Sequence, residues 1–197
     1  MIAITLASKS AIRAAILRGA GVSCEIVSSG VDEASVKADL MARAGTPRVV
    51  AQALAALKAI AVSKDRPGLV IGADQTLELD GALNDKAASL AAARERLILL
   101  RGRTHVLHSA VAVARDGLAI WERVETAHLT MRAFSNHFLD GYLARAGKSV
   151  LGSVGGYQLE GEGAQLFDEV AGDYFSILGL PLIALLDVLR REGALAQ

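Results

Sequence analysis

Apolar and polar positions follow two rhythms along this chain, and each change of rhythm marks an element. "IAITLA" at residues 2–7 is a short apolar run that predicts a buried strand. "SKSAIRAAILRGAG" then places Ile12 and Ile16 on one helical face, with Ser8 or Ser10 as the cap and Gly19 and Gly21 as the exit. "CEIVSSG" predicts a second strand, and "VDEASVKADLMARAG" a helix that is acidic at its start. Pro47 breaks that pattern, and "RVVAQALAALKAIAVSK" is strongly amphipathic at helical spacing. After the turn "RPG", the run "LVIGAD" predicts a central strand that ends on Asp74. "TLELDGAL" alternates and turns at Asp80-Gly81, which predicts a hairpin attached to the main sheet.

"SLAAARERLILLRG" reads as a helix stopped by Gly102, and two strands follow, joined at Asp116-Gly117. Ser135 can cap the "NHFLDGYLARAG" helix, and Pro181 is placed to open a last helix, "LIALLDVLRRE". Between them the glycines from 152 to 163 are interleaved with apolar and aromatic residues. That mixture predicts tight backbone approach rather than a flexible linker. Helices interleaved with strands indicate an α/β domain built on a mixed sheet. The expectation is one domain over 1–197, with any division into two lobes near 117 or 134.

Composition narrows the class. The chain has 197 residues, 52% of them hydrophobic but only 4% aromatic, so its core must be made mainly of Ala, Val, Leu and Ile. Lys and Arg number 21 against 21 Asp and Glu, a balance that gives no basis for nucleic acid or an anionic membrane as partner. Cys24 is alone, so no intrachain disulfide forms, and with no His or basic neighbour it reads as a small apolar residue. The N-terminus lacks a basic leader, and no stretch approaches the roughly 18 apolar residues of a membrane span. A soluble, cytoplasmic protein is expected.

Three groups of residues could carry chemistry. Ser8, Ser10 and Arg13 stand where a strand passes into a helix, whose first turn offers unpaired N–H groups and a positive dipole end to a phosphate. The same serines serve equally as ordinary helix caps. Asp74 ends an apolar strand, the place where α/β sheets gather ligand sites, and could bind a divalent cation or orient a water, or simply begin a turn. Lys86 and Lys58 could add positive charge beside it, or remain solvated. Glu33 first reads as an acid at a helix start. His105 and His108, three apart on a strand, should point to opposite faces and make no metal site.

Taken together these stretches resemble the Maf family of nucleotide pyrophosphatases, related in fold to the inosine-triphosphate pyrophosphatases. The family's opening "LASxSPRR" appears as "LASKSAIR", its "VDE" at residues 31–33, and its "GAD" followed by "DG" as "GADQTLELDG". Its lysine falls in "NDKA", and its closing pattern is matched by "GGYQLEGEGAQLF" and "GDYFSILGLPL". The motifs come in family order over nearly the whole chain. The resemblance implies a mixed twisted sheet flanked by helices, with the site in a cleft between two lobes. It also implies hydrolysis of a nucleoside triphosphate to the monophosphate and pyrophosphate with Mg²⁺ or Mn²⁺.

Carried over by position, Asp74 matches the catalytic acid, which would also face the metal with Glu33. Ser8, Arg13, Lys58 and Lys86 match phosphate-binding positions. Members acting on dTTP and UTP have Thr after the catalytic Asp and Gln in the glycine-rich loop, whereas the 7-methyl-GTP branch has Gln and Glu. Gln75 and Glu160 therefore resemble the 7-methyl-GTP branch. The chain departs from the pattern at Ala11 and Ile12, which replace Pro and an Arg and remove one cation. Asp85 and Ala87 replace the residues flanking the lysine, and Asp85 brings a negative charge close to Lys86. A dTTP/UTP enzyme, a broad enzyme for modified nucleotides, and a non-catalytic nucleotide-binding regulator of septum formation are the alternatives. Family members often pair, which leaves a homodimer open.

Overall fold

Ser10, Asp32, Thr46, Ser89, Ser135 and Asp173 each accept a hydrogen bond from the backbone N–H three residues on, and a helix starts after each. In the computed structural model, which describes residues 2–196, these helices are α1 (Ala11–Gly19), α2 (Glu33–Ala42), α3 (Pro47–Ser63), α4 (Leu90–Leu100), α5 (Asn136–Ala146) and α6 (Tyr174–Ile177). A last helix, α7 (Leu182–Arg191), follows Pro181, which stands at the cap rather than in the first turn. Of the two candidate caps for α1, Ser10 does the work.

The strands are β1 (Ile4–Leu6), β2 (Glu25–Ile26), β3 (Leu69–Leu79), β4 (Ala82–Asn84), β5 (Thr104–Arg115), β6 (Leu118–Met131) and β7 (Phe167–Ala171). They form one seven-stranded sheet in the order β2-β1-β3-β5-β6-β7, with β4 paired to β3. β1 runs parallel to β2 and β3, and the other pairings are antiparallel. The sheet is therefore mixed, as the order of elements predicts. Both Asp-Gly pairs turn as expected, with positive φ at Asp80, Gly81, Asp116 and Gly117, the signature of a type I′ hairpin turn.

Two expectations need correction. "LVIGAD" and "TLEL" are one strand of 11 residues, so Asp74 lies in mid-strand and not at its end. The apolar run stops at 73, but alternation continues, and β5 pairs with β3 from Val70 to Glu78 and carries it past the acid. The stretch 167–171, for which the apolar pattern predicts no strand, is β7. It is an edge strand with mostly exposed residues and so carries no apolar alternation. β2 is only two residues long, another short exposed edge.

The two faces of β3 are packed differently. Even-numbered residues face α3, and the contact there is made of Ala51, Ala55 and Ala59 against Ala110, Ala112 and Ala114. Gly72 completes this close approach, since a Cβ there would stand 2.1 Å from the Ala55 carbonyl oxygen. Odd-numbered residues enter two separate apolar cores on the other face. Ile71 and Ala73 join one with β1, α1 and α7, while Leu77 and Leu79 join the other with α4, α5 and Tyr157. Position 75 falls between them.

Candidate active site

β1 pairs with β3 only as far as Ile71, and β4 takes up the same edge at Leu77. Residues 72–76 thus have β5 on one side and no strand on the other, and Asp74 sits in that gap. Because α3 lies so close over Gly72, Lys58 of α3 reaches Asp74, with Nζ 2.6 Å from Oδ1. The same Nζ is 2.7 Å from Oε1 of Glu33, the first residue of α2. The Lys58 and Asp74 side chains are 6% and 9% exposed, and Glu33 is 46% exposed. Burial pushes the Glu33 carboxyl up, but the Lys58 hydrogen bond and the charges of Lys58, Lys37 and Lys86 together hold it below the usual range. One ammonium between two carboxylates leaves the group with a negative charge in excess, and losing the buried ammonium would be costly because both acids would be left unpaired.

The β1–α1 loop closes the gap. With Ser10 capping α1, the Ser8 hydroxyl accepts from the Ser10 N–H at 3.3 Å and from Arg13 Nη1 at 3.2 Å. Arg13 Nη1 also donates to the Ala73 carbonyl at 2.9 Å, and Nε to the Gly179 carbonyl at 2.8 Å. Ala73 points the same way as Ile71, whose carbonyl accepts from Ala7 N–H. Arg13 therefore takes the place of the strand neighbour that β1 no longer supplies. Of the Arg13 guanidinium, which by resemblance stands at a phosphate-binding position, Nε and Nη1 are engaged by the protein. Nη2 has no hydrogen-bond partner among the described residues. Burial draws the guanidinium down, opposed by the charges of Asp74 and Glu33.

These groups line a cleft of about 650 Å³, into which Lys86, Gln75, Glu160 and Ile12 also project. Burial and then Arg13 lower the Lys86 ammonium from its usual range, opposed by Glu33 and Asp74. Asp85 does not neutralise Lys86, because its carboxylate bonds Lys37 of α2 at 2.5 Å. Gln75 is on the opposite face of β3 from Asp74, and both reach the cleft because the strand edge is open between them. Its Nε2 donates among Ser109 Oγ at 2.8 Å and the carbonyls of Ser176 and Ile177 at 3.2 and 2.9 Å. That fixes the amide and leaves Oε1 as an acceptor. Ile12 is half-buried against the first core, so apolar surface lies where the family carries a cation. Glu160 is exposed on the glycine-rich loop.

Two glycines of that loop make the expected close approaches, whereas Gly152, Gly156 and Gly161 do not. A Cβ at Gly155 would lie 2.1 Å from the Tyr157 ring, and one at Gly163 2.4 Å from the Gln158 carbonyl oxygen. Tyr157 lies on the cleft wall, and its hydroxyl meets Nε2 of the fully buried His105 at 2.6 Å. His108 is on the other face, between Glu78 and Thr126, as alternation requires.

Two cleft residues, Lys9 and Lys37, and one behind the cleft wall, Arg96, are not signalled by any motif. Lys9 needs only its place between Ser8 and Ser10 to be noticed. Lys37 could be inferred only from its distance to Asp85. Arg96 of α4 donates from Nη1 to the Asp85 carbonyl at 3.0 Å and the Val154 carbonyl at 3.2 Å, joining the lysine wall to the glycine-rich wall. No motif signals that bond.

No cluster of three or more His, Cys, Asp or Glu suited to a metal occurs among the described residues. Glu33 and Asp74 nevertheless fit a hard divalent cation, since each retains one carboxylate oxygen that Lys58 does not hold. Mg²⁺ is commonly held by one or two carboxylates plus substrate phosphates. Among the described residues no helix is long and apolar enough to cross a membrane.

Comparison with known proteins finds relatives of this chain. A family model described as Maf-like protein matches residues 3–192. The nucleoside triphosphate pyrophosphatase of Caulobacter vibrioides is 61% identical over 192 residues, covering 98% of this chain and 96% of the relative. That of Paramagnetospirillum magneticum is 52% identical, covering 96% and 98%. The 7-methyl-GTP pyrophosphatase of Brucella abortus is 48% identical, covering 96% of each chain.

Proposed function

The chain belongs to the Maf-like protein family, and from that premise we propose that it hydrolyses a nucleoside triphosphate, 7-methyl-GTP, to the monophosphate and pyrophosphate. The observation that carries the reading is the Lys58-centred pair of carboxylates opening on a cleft lined by further cations. In the reaction, a water oxygen bonds the α-phosphorus while the α–β anhydride P–O bond breaks. The bonding pair leaves with pyrophosphate, and the water gives up its proton.

Asp74 is the base. Lys58 holds one carboxylate oxygen and so aims the other into the cleft. Arg13 Nη2, Lys86 and the Ser8 hydroxyl face the phosphates, in keeping with a reaction that depends mainly on positioning and charge neutralisation. A Mg²⁺ or Mn²⁺ ion held by Glu33 and Asp74 would neutralise phosphate charge there.

For the base, Gln75 Oε1 and the Glu160 carboxylate are both acceptors. That suits the N–H donors of a guanine edge, and a carboxylate suits a ring made cationic by methylation. The pyrimidine alternative offers a single ring N–H donor to the same two acceptors. The existence of relatives named 7-methyl-GTP pyrophosphatase supports the choice. The test is pyrophosphate release from 7-methyl-GTP, GTP, UTP and dTTP with Mg²⁺. A clear preference for 7-methyl-GTP is expected. Preference for dTTP and UTP would overturn the base assignment, and binding without turnover on every nucleotide would favour a regulator.

A further inference from the structure

Behind the β1–α1 loop lies a second cavity of about 380 Å³. Ser28, Ser29 and Gly30, from the loop after β2, line it alone, whereas Ser8, Lys9, Glu33 and Lys58 line both cavities. We propose that this second cavity is the subsite of the leaving pyrophosphate, with Lys9 as its principal cation, while the nucleoside monophosphate half stays in the larger cleft. The inference rests on the hydrolase reading above and gives its substrate a direction.

Three observations carry it. First, Gln75, Glu160 and Asp74 line the larger cleft only, so a triphosphate whose base lies at Glu160 and whose α-phosphorus lies at Asp74 next reaches the shared wall. Second, the second cavity's charged groups are Lys9, Glu33 and Lys58. Lys58 bonds Glu33, which leaves Lys9 with no ion pair among the described residues. An unneutralised cation in a wall of serines and glycine suits an anion, and no aromatic ring lines the cavity to stack a base. Third, Ser8 is only 8% exposed, and its oxygen already accepts two hydrogen bonds. Its hydroxyl hydrogen has no acceptor among the described residues, and a buried donor in the wall common to both cavities calls for an acceptor from a ligand.

Inhibition by each product separates the cavities. Lys9 and Ser28 are exposed, so Lys9→Ala and the cavity-filling Ser28→Trp test the subsite with little cost to the fold, checked by Tm. Each variant should weaken inhibition by pyrophosphate at least five-fold and leave inhibition by the monophosphate product within two-fold. Lys9→Arg should retain pyrophosphate inhibition. Unchanged pyrophosphate inhibition in both variants, or equal weakening of both products, would overturn the proposal. Calorimetric titration of the intact protein with pyrophosphate alone reads the subsite without turnover. A five-fold weaker Kd in Lys9→Ala supports it even if the wild type cleaves no triphosphate, a result that would remove only the hydrolase reading.

Discussion

Lys58 shows how a single residue can make a site from two distant acids. It stands on an alanine-rich helix, and its ammonium holds Asp74 and Glu33 together, both within 2.7 Å. Asp74 was visible in the sequence as an acid interrupting an apolar run, and its motif named the position. The bond to Lys58 was not visible, because it depends on how closely α3 can approach β3. In Asp74→Asn the ammonium keeps Glu33 as its partner, so the fold should persist while the base is lost. We expect kcat to fall roughly 10²- to 10⁴-fold, the usual contribution of a general base, with a small change in KM. Steady-state pyrophosphate release gives the answer, and a kcat within ten-fold of wild type would remove Asp74 from the proposed role. His105 makes a different prediction. Burial lowers its pKa from 6.5 to about 4, and Nδ1 has no partner. Below pH 6.5 the unfolded chain takes up a proton that the folded chain refuses until about pH 4. Stability contributed by neutral His105 is therefore complete above pH 6.5 and falls by about 3 kcal/mol on the way down to pH 4. Urea unfolding of wild type and His105→Gln across that range should show a slope in the wild type that the variant lacks. Parallel curves would contradict it.

At the scale of elements, the open edge of β3 is the decisive feature. Its parallel neighbour ends too early and its hairpin partner begins too late, so five residues can be reached from both faces. This is why Asp74 and Gln75, which alternation sends to opposite faces, line one cleft. Gly72 sets the depth of the arrangement. In Gly72→Ala the new Cβ would lie 2.1 Å from the Ala55 carbonyl oxygen and 2.6 Å from the Ala59 nitrogen, both in the α3 backbone. Neither can yield without moving the helix, which costs about 1–3 kcal/mol for overpacking of this kind and draws Lys58 away from Asp74. Tm and activity should fall together, and an unchanged Tm would contradict the close packing of α3. Much at this scale was legible because its causes are local. Helix caps act over three residues, and Asp-Gly turns need only two positive φ angles. β7 was not legible, since its exposed residues carry no pattern and its place is set by pairing with β6. The orientation of Gln75 was not legible either, because its amide is fixed by carbonyls more than a hundred residues along the chain.

Across the whole molecule, balanced charge conceals a local excess. Lys37 is engaged by Asp85, and Lys58 by Asp74 and Glu33, which leaves Lys9, Lys86 and one end of Arg13 turned to the cleft without ion pairs among the described residues. The cation lost where Ile12 replaces arginine is thus offset by Lys9, at the variable position of the opening motif. The two apolar cores on the odd face of β3 flank the polar strip at Gln75 and Ser109, so the cleft lies where neither core extends. Such an arrangement suits a long substrate with a base at one end and phosphates at the other. The proposed reaction turns on attack of water on the α-phosphorus beside Asp74. Its most direct test is hydrolysis of 7-methyl-GTP in heavy-oxygen water, with mass spectrometry of both products. The label should appear wholly in the nucleoside monophosphate, with unlabelled pyrophosphate released. Label in the pyrophosphate, or release of orthophosphate in its place, would contradict it.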